Sequence, residues 1–153
     1  MGTAYIHIRQ LTLNTADLDQ LLAIEALSFN TFDAYSREDF RRWLGYSPNL
    51  CLAAEIEGRV AGYVLSRITH GKAELASLAI HPAYRRHALG AALLDETTRR
   101  VKASGIPYID LEVRKTNTAG LRFWKKTGFV VTGECAGFYE DGEAAIQMRK
   151  TIP

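Results

Sequence analysis

The stretch AIHPAYRRHALGAALLDETTRR, residues 79–100, decides the architecture of the chain. An apolar strand ends before Pro82, three basic residues follow, and a run of small residues through Gly90 leads into a predicted helix. The first N–H groups of a helix lack intrahelical partners, and its N-terminus is partially positive. Acids or hydroxyl residues are usual there, so added positive charge indicates a bound anion. Because Arg85 and Arg86 can make bidentate hydrogen bonds, a diphosphate is favoured, with a solvated basic loop as the alternative.

Apolar periodicity predicts the remaining elements. The first helix follows a cap at Asn14 or Thr15, and its apolar stripe consists of Leu18, Leu21, Leu22, Ile24 and Leu27. A second helix follows a cap at Ser36, and two more cover 89–103 and 118–126. Strands are predicted over 5–10, 50–57, 59–66, 74–80, 108–113, 129–134 and 144–150. This order predicts an α/β (α+β) fold with a mixed central sheet of about seven strands and helices on both faces.

Composition and charge bound the class of protein. The chain has 153 residues, which suits a single domain over 1–153. A net charge of +2 produces no strong overall field, which argues against nucleic-acid and membrane partners. Cys51 and Cys135 lack metal-ligand spacing and are too few for a disulfide framework, so we expect no metal and a reducing cytoplasm. The N-terminal run MGTAYIHIRQ is not apolar enough for a signal peptide or a membrane span.

Three segments resemble one family. The run YRRHALGAALL resembles the acetyl-CoA pyrophosphate loop of the GNAT superfamily of N-acetyltransferases, Gln/Arg-x-x-Gly-x-Gly/Ala. Arg85 and Gly90 match this loop, whereas Ala88 stands where glycine is usual. The runs LEVRKTNTAGLRFWKKTGF, 111–129, and GFYEDGEAAIQMRK, 137–150, resemble the second block of the family and the C-terminal segment of protein N-terminal acetyltransferases. The resemblance is closest to ribosomal-protein alanine and N-alpha-acetyltransferases, and it implies a GNAT fold whose sheet splays between the fourth and fifth strands.

The resemblance implies acetyl-CoA as the co-substrate, bound in that splay. Its pantetheine arm would use backbone groups of Leu78 and Ile80, although the run LASLAI by itself is more typical of a core strand. Asn117 would contact the arm and also cap the helix that follows it. The residues implied to bind acetyl-CoA are Leu78, Ala79, Ile80, Arg85, Arg86, His87, Ala88, Leu89, Gly90, Ala91, Asn117 and Trp124.

The resemblance implies Glu112 as the general base, directly or through water. The alternative for Glu112 is an exposed acid paired with Arg114 or Lys115. A free α-amino group has a pKa of about 7.7–8.0, so a modest base suffices to deprotonate it. Trp124 stands where the family usually has Tyr to protonate the departing thiolate, and an indole N–H is not a usable acid. Tyr139 is the candidate replacement, and it could equally be a wall of the substrate cleft.

Aromatic residues from two segments are implied to hold the acceptor. Phe138 and Tyr139 match a Tyr-Tyr pair that lines the peptide cleft of N-terminal acetyltransferases, although Phe138 lacks the hydroxyl. Phe32 and Tyr35, from the run SFNTFDAY at 28–35, would form the facing wall, or could be buried in the core instead. Two aromatic loops of this kind would leave a narrow slot for an extended peptide end.

The implied activity is acetyl transfer from acetyl-CoA to an amine by direct attack in a ternary complex. The resemblance favours the N-terminal α-amine of a protein or peptide as the acceptor. A small-molecule amine or lysine acetyltransferase is one alternative. A non-catalytic acetyl-CoA-binding module is another, because Ala88 and Trp124 depart from the family pattern. Whether the chain is a monomer or a dimer stays open.

Overall fold

The computed structural model describes residues 5–28, 34–85 and 88–153. These residues form seven strands and four α-helices in the order β1 (Ile6–Gln10), α1 (Thr15–Ser28), α2 (Arg37–Tyr46), β2 (Cys51–Ile56), β3 (Arg59–Thr69), β4 (Lys72–Ile80), α3 (Leu89–Ala103), β5 (Tyr108–Arg114), α4 (Thr118–Lys126), β6 (Val130–Cys135) and β7 (Ala145–Thr151). Short 3₁₀ turns cover Pro48–Leu50 and Pro82–Tyr84. The predicted bounds of α3 and α4 are confirmed, whereas β3 runs to Thr69, beyond its predicted end.

All seven strands lie in one mixed sheet in the order β1-β2-β3-β4-β5-β7-β6. The pair β4–β5 is parallel, and every other neighbouring pair is antiparallel. Within the described ranges β4 and β5 pair through Ala73 with Ile109 and Glu74 with Asp110 alone. Beyond that point the two strands diverge, which confirms the predicted splay between the fourth and fifth strands.

Helices cover both faces of the sheet. The apolar side chains of α3, including Leu89 and Leu93, pack on one face together with Trp124 of α4. Leu21 of α1 and Phe40 of α2 pack on the other face. The predicted arrangement of helices on both sides of the sheet is therefore confirmed. In the part of the chain that is described, no helix combines the length and apolarity that a membrane crossing would need.

The apolar stripe of α1 differs from the predicted one at its C-terminal end. Leu27 is 56% exposed, whereas Glu25 is buried. The helical period explains both observations, because position 25 follows Leu18 by seven residues and Leu21 by four, on the same face. Position 27 lies on the opposite side of the helix. The stripe prediction was wrong at Leu27, and it missed an acid on the buried face.

A β-bulge in β4 opens the splay. Opposite β3, Leu65 faces Ser77 and Ser66 faces Leu75, so Ala76 is the extra residue. Before the bulge the odd-numbered residue Leu75 packs toward α3, and after it the even-numbered residue Leu78 does. A bulge bends its strand and increases the local twist. Since the last pairing with β5 is at Glu74, β4 leaves its neighbour where the bulge begins.

Candidate active site

The divergence of β4 and β5 leaves a cleft of about 420 Å³. Seven predicted site residues line it, namely Tyr35, Leu78, Glu112, Asn117, Trp124, Phe138 and Tyr139. They come from β4, β5, α4, the segment before α2 and the loop between β6 and β7. The structure therefore brings the predicted base, aromatic residues and pantetheine-side residues into one space. Predicted residues Phe32, Arg86 and His87 lie outside the described residues.

One edge of β4 is free beside the cleft. On its other edge Leu78 is paired in register with Val64 of β3, and Ile80 with Gly62. Ala79 is buried, with 5% of its surface exposed, and packs toward α1. Backbone groups on a strand edge need hydrogen-bond partners. The edge that turns away from β5 can therefore pair with an extended ligand that carries amide groups.

The start of α3 presents backbone N–H groups. The Ala92 N–H donates to the Ala88 carbonyl at 3.1 Å as the first hydrogen bond of the helix. The three preceding N–H groups, those of Leu89, Gly90 and Ala91, are the ones that an α-helix leaves without an intrahelical acceptor. Arg85 is exposed on the approach to this helix end. The arrangement suits an anion, as the sequence predicts.

Ala88 has a left-handed backbone. Its φ is +56° and its ψ is +29°, and it is the N-cap residue of α3 without a side-chain cap hydrogen bond. Left-handed geometry brings Cβ close to the following carbonyl and costs roughly 1–2 kcal/mol in a residue other than glycine. The conformation explains why glycine suits this position. Ala88 keeps the same backbone path at an energetic cost.

Gly90 has a packing role that the sequence did not reveal. It is buried at the start of α3. A Cβ at this position would lie 3.1 Å from Cζ and 3.2 Å from Cε1 of the Phe123 ring in α4. The absence of a side chain therefore allows α3 and α4 to approach each other. The role of Gly90 in a pyrophosphate-binding loop, which the resemblance implies, stays a prediction.

Glu112 faces the cleft from the middle of β5. Its neighbours Leu111 and Val113 are buried on the opposite face of the strand, as alternation predicts. Burial raises the pKa of the Glu112 carboxyl, and the carboxylates of Glu74 and Asp110 raise it further. A carboxylate whose pKa lies above its ordinary value is a stronger base.

Among the described residues, the cations next to Glu112 in the sequence pair with other acids, and not with Glu112. Arg114 pairs with Asp141 at 2.9 Å and Glu143 at 2.8 Å. Lys115 pairs with Glu134 at 3.2 Å. Both cations on this part of the chain thus have partners other than Glu112. The prediction of a cleft-facing acid is the one that agrees with the structure.

Arg114 anchors the loop 136–144, which carries the second aromatic wall. Its guanidinium carbon lies 4.1 Å from the centroid of the Tyr139 ring. The Tyr139 N–H donates to the Glu143 carbonyl at 3.1 Å, and the Thr116 N–H donates to the Glu143 carboxylate at 2.9 Å. Hydrogen bonds from Thr116 and Arg114 lower the pKa of Glu143 to about 2. The loop is therefore tied to the end of β5, and Tyr139 is held at the cleft with Phe138 beside it.

Trp124 and Asn117 each combine a structural contact with a place in the cleft. The Trp124 ring packs edge-on against Phe123 at 4.9 Å and Phe129 at 5.3 Å between centroids. Only 8% of its surface is exposed. The Asn117 side chain accepts a hydrogen bond from the Gly120 N–H at 2.9 Å, which confirms its capping role. The indole therefore forms part of the core beneath the cleft as well as its lining.

Glu25 is the cleft residue that sequence reasoning missed. It is 2% exposed and lines the same space as Glu112. Its Oε2 accepts a hydrogen bond from the Tyr35 N–H at 2.8 Å. Burial raises the pKa of Glu25 to about 7, with the nearby Asp39 carboxylate adding to the shift and the Tyr35 hydrogen bond opposing it. The available signal was an acid at a position of the α1 stripe where an apolar residue is expected.

Tyr35 forms the described part of the first aromatic wall. Its ring packs edge-on against Phe40 at 5.8 Å between centroids. Burial and the carboxylates of Glu25, Asp39 and Glu74 raise the pKa of Tyr35 to about 12. The hydroxyl is therefore neutral at physiological pH and available as a hydrogen-bond donor.

Among the described residues, no group of three or more His, Cys, Asp or Glu side chains is arranged to hold a metal ion.

Sequence comparisons identify relatives over most of the chain. The model of the Acetyltransferase (GNAT) family matches residues 18–129. An uncharacterized N-acetyltransferase of Methanocaldococcus jannaschii is 34% identical over 141 residues, which cover 92% of this chain and 89% of the relative. An N-alpha-acetyltransferase of Sulfurisphaera tokodaii is 30% identical over 145 residues, with 86% of each chain covered.

Solved structures share the fold. Ard1 from Thermoplasma volcanium superposes with a TM-score of 0.89 at 23% identity, over 97% of this chain and 98% of that one. The ribosomal-protein-S18-alanine N-acetyltransferase from Escherichia coli gives 0.81 at 25% identity, over 97% and 94%. PaiA N-acetyltransferase from Thermoplasma acidophilum, in complex with coenzyme A, gives 0.78 at 25% identity, over 96% and 99%. These matches confirm the predicted fold, and the chain belongs to the acetyltransferase (GNAT) family of N-acetyltransferases.

Proposed function

We propose that this N-acetyltransferase transfers the acetyl group of acetyl-CoA to the N-terminal α-amine of a polypeptide, by direct attack in a ternary complex. One observation supports the proposal: Glu112 lines the cleft that opens between β4 and β5, and so do the aromatic residues Tyr35, Phe138 and Tyr139. The relative from Sulfurisphaera tokodaii that is named an N-alpha-acetyltransferase supports this choice of acceptor.

The donor end fits acetyl-CoA. We assign its diphosphate to the N–H groups of Leu89, Gly90 and Ala91, with Arg85, Arg86 and His87 supplying positive charge as the sequence predicts. The free edge of β4 offers the backbone groups of Leu78 and Ile80, on either side of Ala79, as partners for the two amides of a pantetheine arm. Asn117 and Trp124 line the cleft beside this edge. The PaiA structure, which contains coenzyme A on a similar fold, supports the assignment.

Acetyl-CoA supplies an acetyl group activated as a thioester. Glu112 removes a proton from the acceptor ammonium, which frees the nitrogen lone pair for attack. The task is modest because the pKa of an α-amine is about 7.7–8.0. The raised pKa of Glu112 brings base and amine closer together, which favours the proton transfer.

Two residues, Trp124 and Tyr139, could donate a hydrogen bond or a proton to the leaving thiolate. Trp124 can donate a hydrogen bond through its indole N–H, but it cannot serve as an acid near neutral pH. The Tyr139 hydroxyl is the proposed proton donor, since it lines the same cleft. A thiol with a pKa of about 8.5 leaves tolerably well as a thiolate, so the demand on this group is small.

The acceptor end fits an extended chain. Tyr35 lies on one wall, and Phe138 and Tyr139 lie on the other, with Phe138 47% exposed. An exposed aromatic ring beside a cleft offers apolar surface to a substrate side chain. Phe32 is proposed to extend the first wall, on the basis of the sequence alone.

The test compares matched peptides. Peptides with a free N-terminus are expected to release CoA thiol faster than the same peptides with a blocked N-terminus and an internal lysine. Equal or faster release from the blocked peptides would make lysine or a small amine the acceptor. No release with any peptide would favour a non-catalytic module that binds acetyl-CoA.

A further inference from the structure

The two oxygens of the Glu25 carboxyl differ in their hydrogen bonds. The side chain is 2% exposed, and its Oε2 accepts the Tyr35 N–H at 2.8 Å. Its Oε1 is buried and has no hydrogen-bond partner among the described residues. A buried acceptor without a donor is destabilising, and more so when it carries charge. Such an atom is open to a donor from outside the protein, either water or a ligand.

Glu25 lines the cleft together with the aromatic residues that are assigned to the acceptor. Helix α1 packs on β4 at the bulge, where Ala76 contacts the apolar cluster of α1. Glu25 lines the cleft from the α1 side, while Glu112 lines it from β5. The two carboxyls thus face one space from different walls, with the bulged segment of β4 also lining it.

The charges around this space are predominantly negative. Carboxylates of Glu25, Asp39 and Glu74 all raise the pKa of Tyr35, which shows that their fields reach the same ring. The cation that pairs with Glu74 is Arg67, at 3.1 Å. Among the described residues, no ion pair includes Glu25. A positively charged ligand group would balance this end of the cleft.

We propose that Oε1 of Glu25 accepts a hydrogen bond from the α-ammonium group of the acceptor and so holds the acceptor as a cation before transfer. This assignment rests on the proposed function, because it needs an N-terminal amine in the cleft. An ammonium has three N–H donors, so one can donate to Glu25 while another faces Glu112.

The proton balance is simple. One N–H bond of the ammonium breaks, its proton forms an O–H bond on Glu112, and the neutral amine keeps its hydrogen bond to Glu25. The raised pKa of Glu25, about 7, means that a cation at this oxygen favours the ionised carboxyl. In the transfer the C–N bond forms as the C–S bond of the thioester breaks, and a second N–H bond breaks. Its proton replaces the one that Tyr139 gives to the CoA sulfur, so the product is a neutral amide with a single N–H. The attraction to Glu25 is then lost, which favours release of the acetylated chain.

The test measures peptide binding to the complex of the protein with CoA, which cannot react. One peptide has a free α-amine, and its partner is the desamino analogue, in which hydrogen replaces the amino group. By calorimetry, the wild-type protein is expected to bind the amine peptide with about tenfold or more higher affinity than the desamino peptide. This is the size expected for one hydrogen bond between charged groups.

Glu25→Gln is expected to reduce this preference to about twofold or less, because the amide keeps the shape but not the charge. Glu57, exposed in the turn between β2 and β3 and away from the cleft, provides the matched control. Glu57→Gln removes the same charge where water screens it, so the wild-type preference is expected to persist. Unchanged CoA affinity of Glu25→Gln verifies that the variant is folded. If it does not fold, Glu25→Asp, which withdraws the carboxylate by one methylene, is expected to lower the preference instead.

Three results would overturn the inference. Equal affinity of the wild-type protein for the two peptides would do so without any variant. A second contradicting result is that Glu25→Gln, or Glu25→Asp if that variant is used, keeps the wild-type preference while the protein still acetylates peptides. Glu25 would then have no role in binding the ammonium, and the proposed function would stand. Absence of turnover with every peptide would overturn the proposed function and the role of Glu25 together.

Discussion

The two ends of the cleft are built from different parts of the chain. At the donor end, most of the groups assigned to the ligand belong to the backbone, at the start of α3 and on the free edge of β4, and the charge of Arg85 adds to them. At the acceptor end they are side chains from separate elements, among them Glu25 of α1, Glu112 of β5 and Tyr139 of the loop 136–144. A backbone site depends on conformation, whereas a side-chain site depends on which residues stand at distant positions. We therefore expect the donor end to tolerate substitutions that preserve its conformation and its positive charge, and the acceptor end to tolerate few.

The largest effect is expected at Glu112. Glu112→Gln removes the proposed base and should lower kcat by about 10²–10⁴, with acetyl-CoA affinity unchanged. The loss should shrink above the pKa of the amine, about 7.7–8.0, where the acceptor is neutral without help. The raised pKa of Glu112 should place the acid limb of the wild-type kcat profile above that of an ordinary glutamate. CoA release across pH measures both, and a variant that matches the wild type at every pH would remove Glu112 from the mechanism.

A large effect on the donor end is expected from Arg85→Glu. Charge reversal beside the first turn of α3 should weaken acetyl-CoA binding about tenfold or more, since hydrogen bonds between charged groups are lost. Arg99→Glu is the matched control, because Arg99 lies near the opposite end of α3 with a 78% exposed side chain. Calorimetry that gives equal acetyl-CoA affinities for wild type and Arg85→Glu would contradict the diphosphate assignment.

A smaller effect is expected from the anchor of the acceptor wall. Arg114→Ala should raise the KM for the peptide about threefold to tenfold, because Tyr139 loses the cation beneath its ring. Arg149→Ala provides the control. Its guanidinium lies 3.7 Å from the Tyr108 ring centroid and pairs with Asp110 at 2.7 Å. Both variants lose a cation–π contact, together with two ion pairs in Arg114→Ala and one in Arg149→Ala. An equal rise in KM for both would show that general destabilisation, rather than the position of Tyr139, is being measured.

The smallest effect is expected at Ala88. Ala88→Gly relieves a left-handed backbone and should raise the free energy of unfolding by up to about 1 kcal/mol, with acetyl-CoA affinity unchanged or slightly tighter. His70 has a similar φ of +53° in the turn between β3 and β4. His70→Gly should give comparable relief without a change in acetyl-CoA affinity. A large loss of affinity in Ala88→Gly would show that the loop differs from the one that the sequence predicts.

Local signals explain why much of the fold could be predicted. Helix α4 begins after the Asn117 cap and ends before the left-handed Gly128, and both signals are visible in the sequence. The bulge at Ala76 was not predicted. The shift from odd to even apolar positions, Leu75 to Leu78, is present, but the small apolar residues Ala76 and Ala79 conceal it. When both faces of a strand carry apolar residues, the alternation does not show which residues face which side, so a shift in register is hidden.

The sequence predicted the donor end of the site more completely than the acceptor end, because the donor loop is continuous in the sequence and the acceptor residues are not. The donor loop is one continuous run with fixed spacing, so Arg85 and Gly90 could be found together. Glu25 has no motif around it, and its importance depends on tertiary packing against β4 and on the N–H of Tyr35. The sequence identified Gly90 through its place in the loop motif. Its packing against Phe123 could not be predicted, because the two residues are far apart in the sequence.

The central claim is that the cleft acetylates an N-terminal α-amine. The most direct measurement uses one peptide with both a free α-amine and an internal lysine, incubated with acetyl-CoA and the protein. Fragment mass spectrometry then locates the acetyl group. We expect it on the α-nitrogen, with the lysine unmodified. Acetyl on the lysine Nζ, or a peptide left unmodified, would contradict the account.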